Sequence, residues 1–279
     1  MANLINIESK FFEKLIEVVS NGIGTIYRPR STRKMAYAEA DKIKIIAKAK
    51  AEALCEGKMI EAEGLERLND RIIAKELKRQ KNIDDVVEIA TLQFKTDEPI
   101  SEEPVNEDWT TRFFNIVEDI SDNEMKNLWG RILAGEVKQP KSYSLRTLEL
   151  LRNLSKEEAN LFVKIAPFVL KSTGDYYIYN NQKTDNLLKY GISYTNIAKL
   201  IEIGLIQPEF SIKMNFKSYE KSEKEIDIIY NNIIIKICMK ANSKIAPIPI
   251  IILTNPGAEL YNLINKIPNM EYIKDFTNS

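Results

Sequence analysis

Hydrophobic positions recur at helical spacing through the first third of the chain. Leu4, Ile7, Phe11, Leu15 and Val18 follow a three-to-four spacing, with Phe12, Ile16 and Val19 beside them. This predicts an amphipathic helix over 4–19. Asn21-Gly22 and Gly24 end it, Pro29 follows, and Ser31 is placed to cap a new helix. From Thr32 to Phe94 the pattern stays helical and rich in Ala, Lys and Glu. Its apolar stripe is sparse over 36–54 (Ile43, Ile46, Ala47, Ala53, Leu54). It is denser over 65–94 (Leu65, Leu68, Ile72, then Ile83, Val86, Val87, Ala90, Phe94). Gly57 and Gly64 mark points where one helix can become two. A long polar helix with a narrow stripe needs a partner helix, from this chain or from a copy of it. No strict heptad repeat runs through it, so a coiled coil is not specified.

The periodicity breaks at 97–108, DEPISEEPVNED, which holds six acids, no base and two prolines. Such a stretch reads as an acidic linker. Beyond it, 109–170 predicts a central helical bundle. Ser121 to Glu124 has the form of a capping box opening a helix through Met125, Leu128, Trp129, Ile132 and Leu133. Gly135 suits the left-handed position past its end. Ser144 caps 145–151. Ser155 to Glu158 is a second capping box, and Pro167 kinks or ends the helix that follows. From Lys171 the period changes. Asp175–Tyr179, Ile226–Tyr230, Ile233–Met239 and Ile248–Leu253 read as strands. Tyr194–Ile203 reads as a helix running into Gly204-Leu205-Ile206, and Thr254 to Leu260 leads into a last helix ending near Asn265. The expected fold is mainly α with a small α+β C-terminal domain. Its parts are a long-helix region over 1–96, the linker over 97–108, the bundle over 109–170 and the α+β domain over 171–279.

Composition changes this picture mostly by exclusion. A chain of 279 residues is long enough for about two domains. Lys+Arg and Asp+Glu are equal at 40 each, so bulk attraction to nucleic acid is absent and only a local patch could supply it. There is no histidine, which removes histidine triads, histidine general bases and most zinc and non-haem iron sites. Cys55 and Cys238 form no disulfide framework. Met1 to Lys10 lacks a secretory pattern, and Ile245 to Leu253, the longest apolar candidate, is broken by Pro247 and Pro249. The expectation is a cytoplasmic protein. A magnesium nuclease site would want an Asp, then an acid two residues before a Lys on a strand. Asp227 followed by Ile234-Ile-Lys236 is the nearest fit, and Ile stands where the acid is required. With no phosphate-cradling glycine loop either, no catalytic, cofactor or metal residue is expected.

Two constellations remain. Arg28, Arg30, Arg33 and Lys34 follow the glycine-containing apolar segment 18–27. They suit a phosphate or membrane contact, or simply a turn and a solvated helix start. In the C-terminal block, the helix ending Leu200-Ile-Glu-Ile-Gly204-Leu-Ile206, the strands after it and Leu253 to Leu260 resemble a winged-helix fold. That resemblance implies that the helix before the glycine turn can enter a major groove, through Ser193, Tyr194, Asn196 and Lys199. Glu202 opposes the single lysine, so packing or protein contact is the plainer use of the same element.

The central segment carries a further resemblance. Leu128-Trp-Gly-Arg-Ile-Leu-Ala-Gly-Glu136, Pro140, Ser144-Leu-Arg-Thr-Leu148 and Glu158-Ala-Asn-Leu-Phe162 resemble a group of bacterial and prophage-borne proteins catalogued only as a domain of unknown function. Gly22-Ile-Gly24, Ala38-Glu-Ala40 and the C-terminal Leu253 to Leu260 are compatible with it. The resemblance implies a setting in prophage biology or anti-phage defence and brings no reaction, cofactor or catalytic residue. Independently of it, Trp129, Ile132 and Leu133 share one side of a helix and are expected in the core. Gly130 permits close helix approach, and Arg131 and Glu136 suit local pairing or helix capping. The function expected from all this is a non-enzymatic, oligomerising scaffold or interaction protein, self-associating through 1–96 and open to a protein partner. The alternatives are a DNA-binding regulator using Asn196 and Lys199, and a peripheral membrane protein using Phe11, Phe12 and Arg28 to Lys34.

Overall fold

The structure is a computed structural model that describes residues 10–29, 59–94, 99–181, 186–209, 211–214, 224–231, 233–239 and 247–277. The described residues form nine α-helices and six strands. The chain divides into two compact units, residues 1–143 and 144–279. The architecture is thus mainly α with an α+β C-terminal part, as the periodicity predicts.

The first unit is helical: α1 (Lys10–Ile23), α2 (Met59–Leu92), α3 (Glu107–Val117) and α4 (Asn123–Lys138). α1 lies on α3 and α4, and α2 lies on α4 and α3. Phe11, Leu15, Val86, Ala90, Phe113, Val117, Trp129 and Leu133 are buried between them. Phe113 is the hub, stacked on Trp109 (4.9 Å) and edge-on to Phe114 (5.1 Å) and Trp129 (5.4 Å). Gly130 has the role its position predicts. A Cβ there would stand 2.7 Å from Ile89 Cβ and 3.1 Å from the Val86 carbonyl, so its absence lets α4 approach α2 closely.

Several boundaries differ from expectation. α1 runs through Asn21-Gly22 to Ile23, and Gly22 serves close packing there, since the Phe114 ring fills the space a Cβ would take. Gly64 does not interrupt α2, whereas Gly57 lies outside the described residues. The N-cap of α4 is Asp122, whose carboxylate accepts from Met125 N, one residue past the expected Ser121. Gly135 does not end that helix. It sits inside α4 against the Tyr143 ring, and the left-handed residue is Lys141 (φ 70°), in the loop beyond. Buried Glu136 holds that loop by accepting from Lys141 N (2.7 Å) and Tyr143 N (3.0 Å). The acidic stretch expected as a linker lies within the first unit where it is described. Lys14 donates to the Ser101 and Glu103 carbonyls (both 2.8 Å), Val105 is buried, and Asn106 caps α3.

The second unit contains α5 (Leu145–Asn153), α6 (Lys156–Ile165), a 3-10 turn at Ala166–Phe168, β1 (Val169–Ser172) and β2 (Asp175–Tyr179). A second 3-10 turn (Leu188–Tyr190), α7 (Tyr194–Ile203), β3 (Lys213–Met214), β4 (Lys224–Tyr230) and β5 (Ile233–Met239) follow. Then come β6 (Ile248–Ile252), α8 (Asn255–Tyr261) and α9 (Met270–Thr277). Ser144 and Ser155 cap α5 and α6 as predicted, the latter in a full capping box with Glu158, and Pro167 ends α6. The strands form one antiparallel sheet in the order β3-β6-β2-β1-β4-β5. β1 was not predicted. It is a four-residue strand continuing the expected bundle, and the two-residue turn Thr173-Gly174, both at positive φ, folds it back onto β2. α9 was not predicted either, and the expected last helix stops at Tyr261. α5 and α8 are joined by Glu259, which accepts from Ser144 N (2.7 Å) and the Thr147 hydroxyl (2.5 Å).

Candidate functional site

The structure scatters most of the residues singled out from sequence. Arg28 is exposed, and Arg30, Arg33 and Lys34 lie outside the described residues. Phe11 and Phe12, assigned above to a membrane contact, are buried. Phe11 stacks on Phe94 at 4.7 Å, so core packing takes the rings a membrane would have used. Ser193 and Asn196 do come together, but they serve α7 itself as its N-terminal capping box, and Lys199 faces Glu157 at 4.0 Å. Asp227 and Lys236 oppose one another across β4 and β5. Lys236 donates to Glu225 (2.9 Å), an exposed strand pair rather than a metal cradle. Among the described residues no group of three or more His, Cys, Asp or Glu is placed to hold a metal ion, and no helix is long and apolar enough to cross a membrane.

Two cavities open in the second unit. The larger, about 830 Å³, lies between α5, the end of α7 and the start of α8. Its polar side chains are largely spent on helix ends. Ser144 and Thr254 cap α5 and α8, Glu158 completes the α6 capping box, and Asn153 donates to the Glu149 carbonyl. The smaller, about 450 Å³, is lined from β1, β2, the end of β4, its turn, and the end of α8 with the loop after it. Here the polar groups are of one kind. Lys171 lies over the Tyr176 ring at 4.8 Å and Lys266 over the Tyr261 ring at 3.8 Å. The two rings meet edge-to-face at 5.3 Å. The Tyr176 hydroxyl donates to Asn262 Oδ1 (3.1 Å) and the Tyr261 hydroxyl to Asn231 Oδ1 (3.4 Å). Both amide oxygens are thus engaged, and Asn231 Nδ2 is buried with no hydrogen-bond partner among the described residues.

Among the described residues no carboxylate lines this cavity. Burial lowers the Lys266 pKa below the ordinary lysine value. Burial, with Tyr176 and Tyr230 nearby, pushes the Tyr261 phenol up to about 12, so it stays protonated as a donor. Lys266 gives one hydrogen to the Tyr261 carbonyl (2.9 Å) and keeps two. Sequence reasoning did not single out these residues. They are common types spread from Lys171 to Pro268, and only the pairing of β1 with β2 and β4 collects them. The one local signal is Asn231-Asn232 between two isoleucine-rich runs, a hairpin turn pattern that places Asn231 at φ 53°.

A family model described as "Protein of unknown function (DUF2806)" matches residues 66–277. The chain belongs to that family. The match takes in most of α2 and every described helix and strand of the second unit, both cavities included, and it brings no activity with it. No curated protein and no solved structure matches the chain.

Proposed function

We propose that the protein is a non-enzymatic interaction scaffold that assembles with copies of itself through the N-terminal half of α2. One observation carries this reading. In α2, no described side chain before Asn82 is buried, whereas Asn82, Ile83, Asp84, Val86, Val87 and Ala90 are. At about 1.5 Å per residue, roughly 20 Å of helix over 67–81 thus buries no side chain against the described residues. Leu68 and Ile72, four residues apart on one face, are each 50% exposed, and Leu77 is 56% exposed. A mostly polar helix of this length is marginal alone and gains stability by burying such a stripe on a second helix. A copy of the same helix supplies an equivalent stripe. Light scattering across a concentration range should show a multimer, and Leu68→Lys with Ile72→Lys should return it to monomer. A wild-type chain that stays monomeric throughout sinks the proposal.

A second reading, a winged-helix-like DNA-binding regulator, draws support from α7. That helix closes at left-handed Gly204, its chain continues into the Ile206–Leu253 bridge, and Tyr194 is 73% exposed at its start. Duplex DNA that shows no mobility shift at low salt counts against it. A reducing cytoplasmic setting suits the exposed free thiol of Cys238 in either case.

A further inference from the structure

We propose that the 450 Å³ cavity of the second unit binds a small organic phosphate. The proposal is independent of self-assembly. Two lysines line one cavity, and among the described residues neither ammonium meets a carboxylate; each rests on a tyrosine face instead. Burial alone lowers the Lys266 pKa, so its ammonium sits in partly desolvated space with no described carboxylate beside it. A phosphate dianion set against both ammonium groups supplies the counter-charge that the lining lacks. The neutral polar groups agree in sign. The tyrosine hydroxyls engage the oxygens of Asn231 and Asn262, which leaves each amide its NH₂ as a donor, and the buried Asn231 Nδ2 beneath the cavity lining has no partner among the described residues. Lysine ammonium and amide N–H groups together match the terminal oxygens of a phosphate monoester. The cavity has the size of a small-molecule site rather than a bare ion site. Ile229, Ile264 and Pro268 form an apolar wall for the organic part.

The test is calorimetric titration of the full chain with glucose 6-phosphate, adenosine 5′-monophosphate and inorganic phosphate, with glucose and adenosine as controls. At least one ester should bind with a Kd below roughly 1 mM, more tightly than inorganic phosphate and without binding of its unphosphorylated control. Lys171→Gln and Lys266→Gln keep much of the aliphatic stem and should each weaken binding about tenfold. Asn231→Asp tolerates the left-handed backbone and places a carboxylate where a donor stood, so it should abolish binding. Circular dichroism checks that each variant folds. If Asn231→Asp does not, the two lysine variants decide. Absence of binding by every phosphate probe overturns the proposal. So does equal binding of the unphosphorylated controls, or binding that both lysine variants leave unchanged.

Discussion

The two units bury their aromatic rings in different chemical form. In the first, the largest fully buried rings are Trp129, Phe11, Phe113 and Phe114; in the second they are Tyr177, Tyr230 and Tyr272. The difference follows from what each backbone leaves unpaired. Helices satisfy their own interior N–H and C=O groups, so α1, α3 and α4 can meet through hydrocarbon and the Phe113 cluster. The sheet and its connections leave groups over, and phenol hydroxyls take them up. Tyr179 N donates to the Tyr272 hydroxyl (2.7 Å). The Tyr230 hydroxyl donates to the Pro167 carbonyl (2.6 Å) and accepts from Asn269 N (2.6 Å). Tyr230 and Tyr272 are therefore backbone partners as well as core, whereas the buried Tyr177 hydroxyl has no hydrogen-bond partner among the described residues and the cavity tyrosines Tyr176 and Tyr261 donate to asparagine side chains.

The comparison breaks most severely at Phe113. Phe113→Ala removes the ring that Trp109, Phe114 and Trp129 pack on, and should cost about 3–5 kcal/mol. Both tryptophans lie in the first unit, so their fluorescence in a urea titration reads the loss directly. A drop under 1 kcal/mol would show that the cluster is not the centre of that core.

A reciprocal pair sharpens the contrast. Tyr272→Phe deletes only a hydroxyl but leaves the Tyr179 N–H buried and unpaired, at about 1–3 kcal/mol. Hydrogen exchange at the Tyr179 amide should accelerate. Phe113→Tyr adds a hydroxyl where hydrocarbon surrounds it and should also destabilise, by about 1–3 kcal/mol. If either swap is neutral, hydroxyl placement does not distinguish the units.

The smallest effect lies at the α6 capping box. Glu158 accepts from Ser155 N (2.8 Å), and the backbone bond first, then the Ser155 hydroxyl, hold its carboxyl below the ordinary glutamate value. A folded pKa below the unfolded one means the contribution is complete above the unfolded value, near pH ~4.3, and is lost as pH falls through the folded one. Carboxyl titration by NMR should show the Glu158 midpoint rise in Ser155→Ala. An unchanged midpoint would remove the Ser155 hydroxyl as a cause and leave the backbone bond alone.

Features whose information is local were legible in the sequence. Ser155 with Glu158, Ser193 before α7, Gly204 after it and the isoleucine runs of β4 and β5 each carry a start, a stop or a period within a few residues. The misreadings occurred where a distant neighbour outweighed the local signal. Gly22 and Gly135 read as helix stops, yet the Phe114 and Tyr143 rings fill the space beside them and the helices continue. Phe11 and Phe12, which the membrane alternative would have used, are core because the helices around them bury them.

The sequence by itself determined the mainly helical first half, the change of period near Lys171, the exclusion of histidine chemistry and the family. Helix caps, alternation and composition act over one or two turns of chain, so they survive in a single string. Only the tertiary structure decided that α2 buries none of its described side chains before Asn82 and buries one face from Asn82 to Ala90. It alone brought Lys171, Tyr176, Asn231, Tyr261 and Lys266 around one cavity. Sheet pairing joins residues far apart in sequence, and neither burial nor a shared charge environment exists until those long-range contacts close.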